Sequence, residues 1–159
     1  MRQALFASFA IILSGCASLA NEPSTTAGGR EMKMAFDVTD AAPLPLSKKL
    51  EVIELTRKQL VEQGYKPMIV VSFRGNASFF TQDSVAAVKE ADRAEALKVK
   101  AQLRSLATAP GVVAIEQCNV PLAERKLDPK RLMHEVKLVP NGWIALAEYQ
   151  NRGYAYIAP

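Results

Sequence analysis

Short hydrophobic runs alternate along the chain with segments of helical spacing. Glu31 to Val38, reading Glu-Met-Lys-Met-Ala-Phe-Asp-Val, is apolar enough for a buried first strand and runs into Thr39-Asp40 and the breakers Pro43 and Pro45. Leu46, Leu50, Ile53, Leu60 and Val61 recur at three-to-four spacing, which predicts a helix with Ser47 near its start and Gly64 at its C-terminal cap. Met68 to Phe73 is a continuous run with β-branched members, the pattern of a strand covered on both faces, and it ends at Arg74-Gly75-Asn76. A second helix is predicted over Ser84 to Ala107, with Val88, Ala96, Val99, Leu103 and Leu106 on one stripe and Pro110-Gly111 as its stop. Val112 to Ile115 reads as a third strand that delivers Glu116-Gln117-Cys118-Asn119 at its carboxyl end. Helical turns are expected at Pro121 and at Asp128-Pro129. Val136 to Val139 is a fourth strand, Asn141 caps a helix that ends at Gly153, and Tyr154 to Ile157 is a fifth strand.

Five strands separated by helices imply parallel neighbours, because a parallel pair needs a crossover of about a dozen residues or more. The predicted fold is therefore a three-layer α/β/α domain on a mostly parallel five-stranded sheet, spanning residues 31–159.

The residues before it read as an address. Arg2 precedes an apolar run, Ala4 to Leu13, that is too short for a membrane span of about 20 residues, and the run leads into Leu13-Ser14-Gly15-Cys16. Leu-Ser-Gly-Cys resembles the lipobox of bacterial lipoproteins. That resemblance implies a signal peptide over residues 1–15, acyl chains on Cys16, and a membrane partner held through that anchor. Several chains on one cysteine hold a protein stably, whereas one is marginal. Ala17 and Ser18, with no aspartate after the cysteine, favour the periplasmic face of the outer membrane. Ordinary cleavage near Ala20 is the alternative. Residues 21–30 are small and polar, a composition suited to a flexible tether, so residues 16–30 are expected to link lipid to domain.

A net charge of +4, spread along helices such as Lys89 to Arg104 as solvated faces, gives no basic block interleaved with aromatics. A nucleic-acid partner is not expected. His134 is the one histidine, more suited to the surface than to a base, and with two cysteines of separate roles it forms no metal set. No cofactor is called for.

Ligands of open parallel sheets bind beyond the carboxyl ends of the strands. The strand assignment places Asp40, Arg74, Gly75, Asn76, Cys118, Asn119 and Asn141 at that edge. With Cys16 committed to lipid, Cys118 has no disulfide partner. If a helical turn starts near Asn119 to Pro121, its amides face the sulfur and favour thiolate over thiol, with Arg74 adding positive charge. The opposing interpretation is a small, buried, inert hydrophobe.

Gly111-Val-Val-Ala-Ile-Glu-Gln-Cys118-Asn119 and Val136-Lys-Leu-Val-Pro-Asn-Gly142 through Pro159 resemble the C-terminal half of DsrE/DsrF-like proteins. Val71-Ser-Phe-Arg-Gly75 and Phe36-Asp-Val-Thr-Asp40 are similar to that family's second and first strands. The resemblance implies the same three-layer fold, assembly into trimers or hexamers, and carriage of a persulfide on Cys118 between a donor and an acceptor protein. Val120 stands where relatives often carry Ser or Thr. The residues by themselves suit Asn141-Gly142 for capping and close packing, and Trp143, Ile144 and Leu146 for a buried helix face. Tyr149, Tyr154 and Tyr156 suit either a subunit interface or the core. Three functions remain: a thiol carrier or sensor of reactive sulfur rather than a turnover enzyme, a non-enzymatic small-molecule binder with Cys118 structural, and an oligomeric scaffold.

Overall fold

The computed structural model describes residues 29–159, so the expected signal peptide, Cys16 and the tether up to residue 28 lie outside the described residues. Five strands, β1 (Glu31–Val38), β2 (Lys66–Phe73), β3 (Val112–Cys118), β4 (Val136–Val139) and β5 (Ala155–Ile157), form one sheet in the order β4-β3-β2-β1-β5. Every pairing is parallel. Four helices connect them: α1 (Pro43–Glu62), α2 (Arg93–Ala107), α3 (Asn119–Glu124) and α4 (Gly142–Asn151).

Alternation along the strands builds two cores. Phe36, Val38, Ile69, Val71, Phe73 and Ile115 pack with Leu46, Leu50 and Ile53 of α1 and with Val99, Leu103 and Leu106 of α2. On the other face, Ala35 and Val70 meet Leu146 and Tyr149 of α4 together with Tyr154. Tyr149 and Tyr154 thus belong to the core, while Tyr156 is partly exposed.

Several expectations shift for local reasons. Pro43 and Pro45 do not block α1 but lie in its first turn, where an amide has no intrahelical acceptor and a fixed φ suits the helix. Ser47 lies near the start of α1 as expected, while Ala42 takes the N-cap position. Ser47 is on the buried stripe, and its hydroxyl has no partner among the described residues. Leu60 is half-buried and Val61 exposed, because α1 outruns the core near its end. Gly64, at φ +79°, closes the helix as expected: its amide donates to the Val61 carbonyl at 2.9 Å and the Tyr65 amide to the Leu60 carbonyl at 2.8 Å.

The second helix starts at Arg93 rather than Ser84. Between Val88 and Ala96 the apolar residues are two exposed alanines, Ala91 and Ala94, so no apolar burial holds that stretch as an α-helix, and Lys89 is extended at ψ 143°. Lys100 departs from the solvated face predicted for it. It sits in the buried stripe with Ala96, Val99 and Leu103, its ammonium donates to the Gln82 carbonyl, and burial lowers its pKa. A short 3-10 segment, Gly75–Thr81, was not signalled by any periodicity.

Trp143 and Ile144 also reverse their expected side. The buried face of α4 is Gly142, Ala145, Leu146 and Tyr149, so the two residues between fall on the solvent side, 70% and 60% exposed.

Tyr149 anchors α4 to the sheet by donating its hydroxyl to Glu116 Oε1 at 2.9 Å. Lys137 reaches the same oxygen at 3.6 Å, and Oε2 has no partner among the described residues. Burial first, then Glu116, pushes Tyr149 up to about 12. That value lies above the ordinary tyrosine value of about 10, so the contribution is intact below about pH 10 and is lost as pH rises through 12. Tyr149→Phe should cost about 1–3 kcal/mol in urea unfolding near neutrality, because it strips a buried carboxylate of a donor. The variant should also lack this part of the alkaline decline.

Candidate functional site

Cys118 is the last residue of β3 and the residue that precedes α3. The strand carries it to the carboxyl edge of the sheet, where Val139 of β4 is its register partner. Arg74 follows β2 at the same edge, its amide donating to the Val38 carbonyl at 2.9 Å. Asn141 caps α4 by accepting from the Trp143 amide at 2.9 Å, as its position predicted. That cap fixes the first turn of α4 against the cysteine.

The Gly142 amide donates to Cys118 Sγ at 3.1 Å. The expected source of this donor was the turn after the cysteine, but Cys118 makes no side-chain cap to α3. The donor comes instead from the first residue of α4, whose N-terminal end carries positive partial charge toward the sulfur. Gly142 is required by space rather than by backbone angle. A Cβ there would lie 2.7 Å from Arg74 Cδ and 3.0 Å from Cys118 Cβ.

Around the sulfur lies a pocket of about 220 Å³, walled by Arg74, Gly75, Cys118, Val120, Asn141 and Trp143, with Pro121 and Glu124 completing the rim. Cys118 as a residue is 3% exposed, and it lines this pocket. Trp143 stands at the mouth with the Arg74 guanidinium 5.4 Å from its ring centre, a cation–π contact.

Arg74 is itself held from below. Its Nε donates to Asp37 Oδ1 at 2.8 Å and its Nη2 to Oδ2, while Tyr156 donates to Oδ2 at 2.7 Å. The Asp37 hydrogen bonds hold the guanidinium above its ordinary pKa. Hydrogen bonding to Asp37 raises Tyr156 as well. Asp37 offsets part of the charge that Arg74 presents to the sulfur and holds the guanidinium in place at the pocket wall.

Of the residues expected at this edge, Arg74, Gly75, Cys118 and Asn141 converge on the pocket. Asp40 instead pairs with Lys49 at 3.0 Å, Asn76 accepts from Arg125 Nε at 3.0 Å, and neither these nor Asn119 lines the pocket. Asp37, Gly142 and Trp143 were missed as site residues. The one signal for Asp37 was a carboxylate inside an apolar strand. His134 is on the surface beside Glu135, and among the described residues no three of His, Cys, Asp and Glu converge to hold a metal ion.

The fold agrees with what the chain is similar to. An uncharacterized protein of Aquifex aeolicus (strain VF5) is 26% identical over 126 residues, which cover 79% of this chain and 55% of that protein. The chain thus spans about half the length of the curated relative it matches. A solved protein of unknown function from Methanobacterium thermoautotrophicum superposes with a TM-score of 0.52 at 18% identity, covering 82% of this chain and 99% of that one, and so shares the fold. The model of the DsrE/DsrF-like family matches residues 47–159, from the first turns of α1 through β5 and including the whole Cys118 pocket. With most of its length in that match, the chain belongs to the DsrE/DsrF-like family.

Proposed function

We propose that this protein is a cell-envelope lipoprotein, anchored through acyl chains on Cys16, that carries or senses reactive sulfur on Cys118. The observation that carries the proposal is the Gly142 amide donating to Cys118 Sγ inside a small pocket that also holds Arg74. An amide aimed at sulfur favours the anionic forms, thiolate and persulfide, that sulfur transfer requires. In the loading step the Cys118 thiolate attacks the outer sulfur of a donor persulfide; the new S–S bond forms, the donor's S–S bond breaks, and the donor leaves as its thiolate. Donor and acceptor proteins, and a trimeric or hexameric ring, belong to this proposal through the family.

The 3% exposure of Cys118 favours one competing function, a small-molecule binder in which the thiol is structural. Cyanolysis separates the two. After incubation with a small persulfide donor and desalting, cyanide should release about one equivalent of thiocyanate per chain from the wild type and none from Cys118→Ser. No release from a folded wild type would leave the binder.

The exposed Trp143 sets access rather than stability. Trp143→Ala should change the unfolding midpoint little, within the range of ordinary surface substitutions, about 0.5 kcal/mol. Alkylation of Cys118 by iodoacetamide should become several-fold faster.

A further inference from the structure

All five strands run the same way, so the amino ends of β1, β2 and β3 lie at one edge and Cys118 at the other, about 20 Å away along β3. At the amino edge lies a second groove, of about 600 Å³, whose walls are mostly apolar: Val61, Tyr65, Pro67, Met68, Pro110 and Val113. Val61 and Val113 are 52% and 48% exposed.

The same groove is where the described chain begins. Gly29 lines it, packed so closely that a Cβ would lie 2.3 Å from the Gly64 carbonyl oxygen, and the Lys66 amide donates to the Arg30 carbonyl at 3.1 Å. The exit point is therefore fixed on this face. Gly29 is thirteen positions after Cys16, a stretch that reaches at most about 45 Å when fully extended.

The rim is basic and amphipathic. Arg30 lies over the Tyr65 ring at 5.1 Å and donates to its hydroxyl at 2.7 Å, and Lys66 is 64% exposed, sharing Glu31 with Lys33. An apolar floor with a tyrosine, edged by Lys66 and by Arg30 beside Tyr65, is the chemistry of a surface that rests in a lipid headgroup layer.

We propose that this amino-edge groove docks on the anionic lipid surface to which the chain is tethered, so that the Cys118 pocket faces away from the membrane. The inference rests on the proposed acylation of Cys16. A weak contact suffices, because a short tether holds the face at an effective concentration of about millimolar.

The test uses the full acylated chain in Cys118→Ser form, reconstituted in vesicles of phosphatidylethanolamine and phosphatidylglycerol that contain a lipid-borne quencher. A fluorophore is placed at Val113→Cys or, as the control of matched exposure, at Val120→Cys. Quenching should be several-fold stronger at position 113, and Lys66→Glu with Arg30→Glu should weaken it. Equal quenching at both positions in a chain shown by mass to be acylated would overturn the docking and leave the anchor standing. A chain without acyl groups would overturn both. Shielding of position 113 that needs no vesicles and grows with protein concentration would assign the groove to a second copy and also overturn the proposal.

Discussion

Asp37→Ala should cost the domain about 3–5 kcal/mol, the usual penalty for breaking a buried ion pair from one side. Asp37 and Arg74 side chains are 3% and 18% exposed, and Asp37 accepts two hydrogen bonds from Arg74 and one from Tyr156. Removal of the carboxylate leaves a largely buried guanidinium with no counter-charge and a tyrosine hydroxyl without its acceptor. A loss of this size is a large share of the 5–15 kcal/mol that typically holds a domain together. Urea unfolding should show the midpoint falling with an unchanged slope. The double variant Asp37→Ala with Arg74→Met should recover a good part of the loss, since it no longer buries an uncompensated charge. A double variant as unstable as the sum of the two single ones would show that the two residues are not coupled.

Gly142→Ala should damage the sulfur site more than the fold. The added methyl meets Arg74 Cδ at 2.7 Å and Cys118 Cβ at 3.0 Å, and Arg74 cannot easily move while Asp37 grips it. The strain is relieved by moving the first turn of α4, which carries the amide away from Sγ. Overpacking of this kind costs about 1–3 kcal/mol. Persulfide loading should fall at least several-fold under conditions where the variant remains folded. Loading at the wild-type rate, with normal stability, would show that the Gly142 amide contributes nothing to the chemistry.

The two variants touch the parts of the site that the sequence showed least. Strand positions were legible because β1, β2, β3 and β4 are short apolar runs bounded by Gly, Pro and Asn, and because Gly64 and Gly153 both take the positive φ that ends a helix. Placing Cys118 at the carboxyl edge followed from those runs alone. What periodicity does not encode is which distant groups meet. The Gly142 amide is 24 residues from Cys118, and Asp37 is 37 residues from Arg74. Local reasoning assigned the donor to the adjacent turn at Asn119 to Pro121, the nearest helix start in sequence, when the crossover through β4 brings α4 closer in space. Lys100 was misplaced for a related reason. Its spacing put it on the apolar stripe, but its charge suggested solvent, and the long side chain satisfied both by reaching the Gln82 carbonyl.

Two ends of one sheet thus carry two proposed tasks, sulfur at the carboxyl edge and lipid at the amino edge, and the first can be tested without the second. Intact-mass spectrometry of the purified protein after incubation with a persulfide donor is the most direct measurement. The wild type should gain the mass of one sulfur atom, removable by a reducing thiol, and Cys118→Ser should gain nothing. An unchanged wild-type mass, or the same gain in Cys118→Ser, would contradict the assignment of Cys118 as the sulfur-bearing residue.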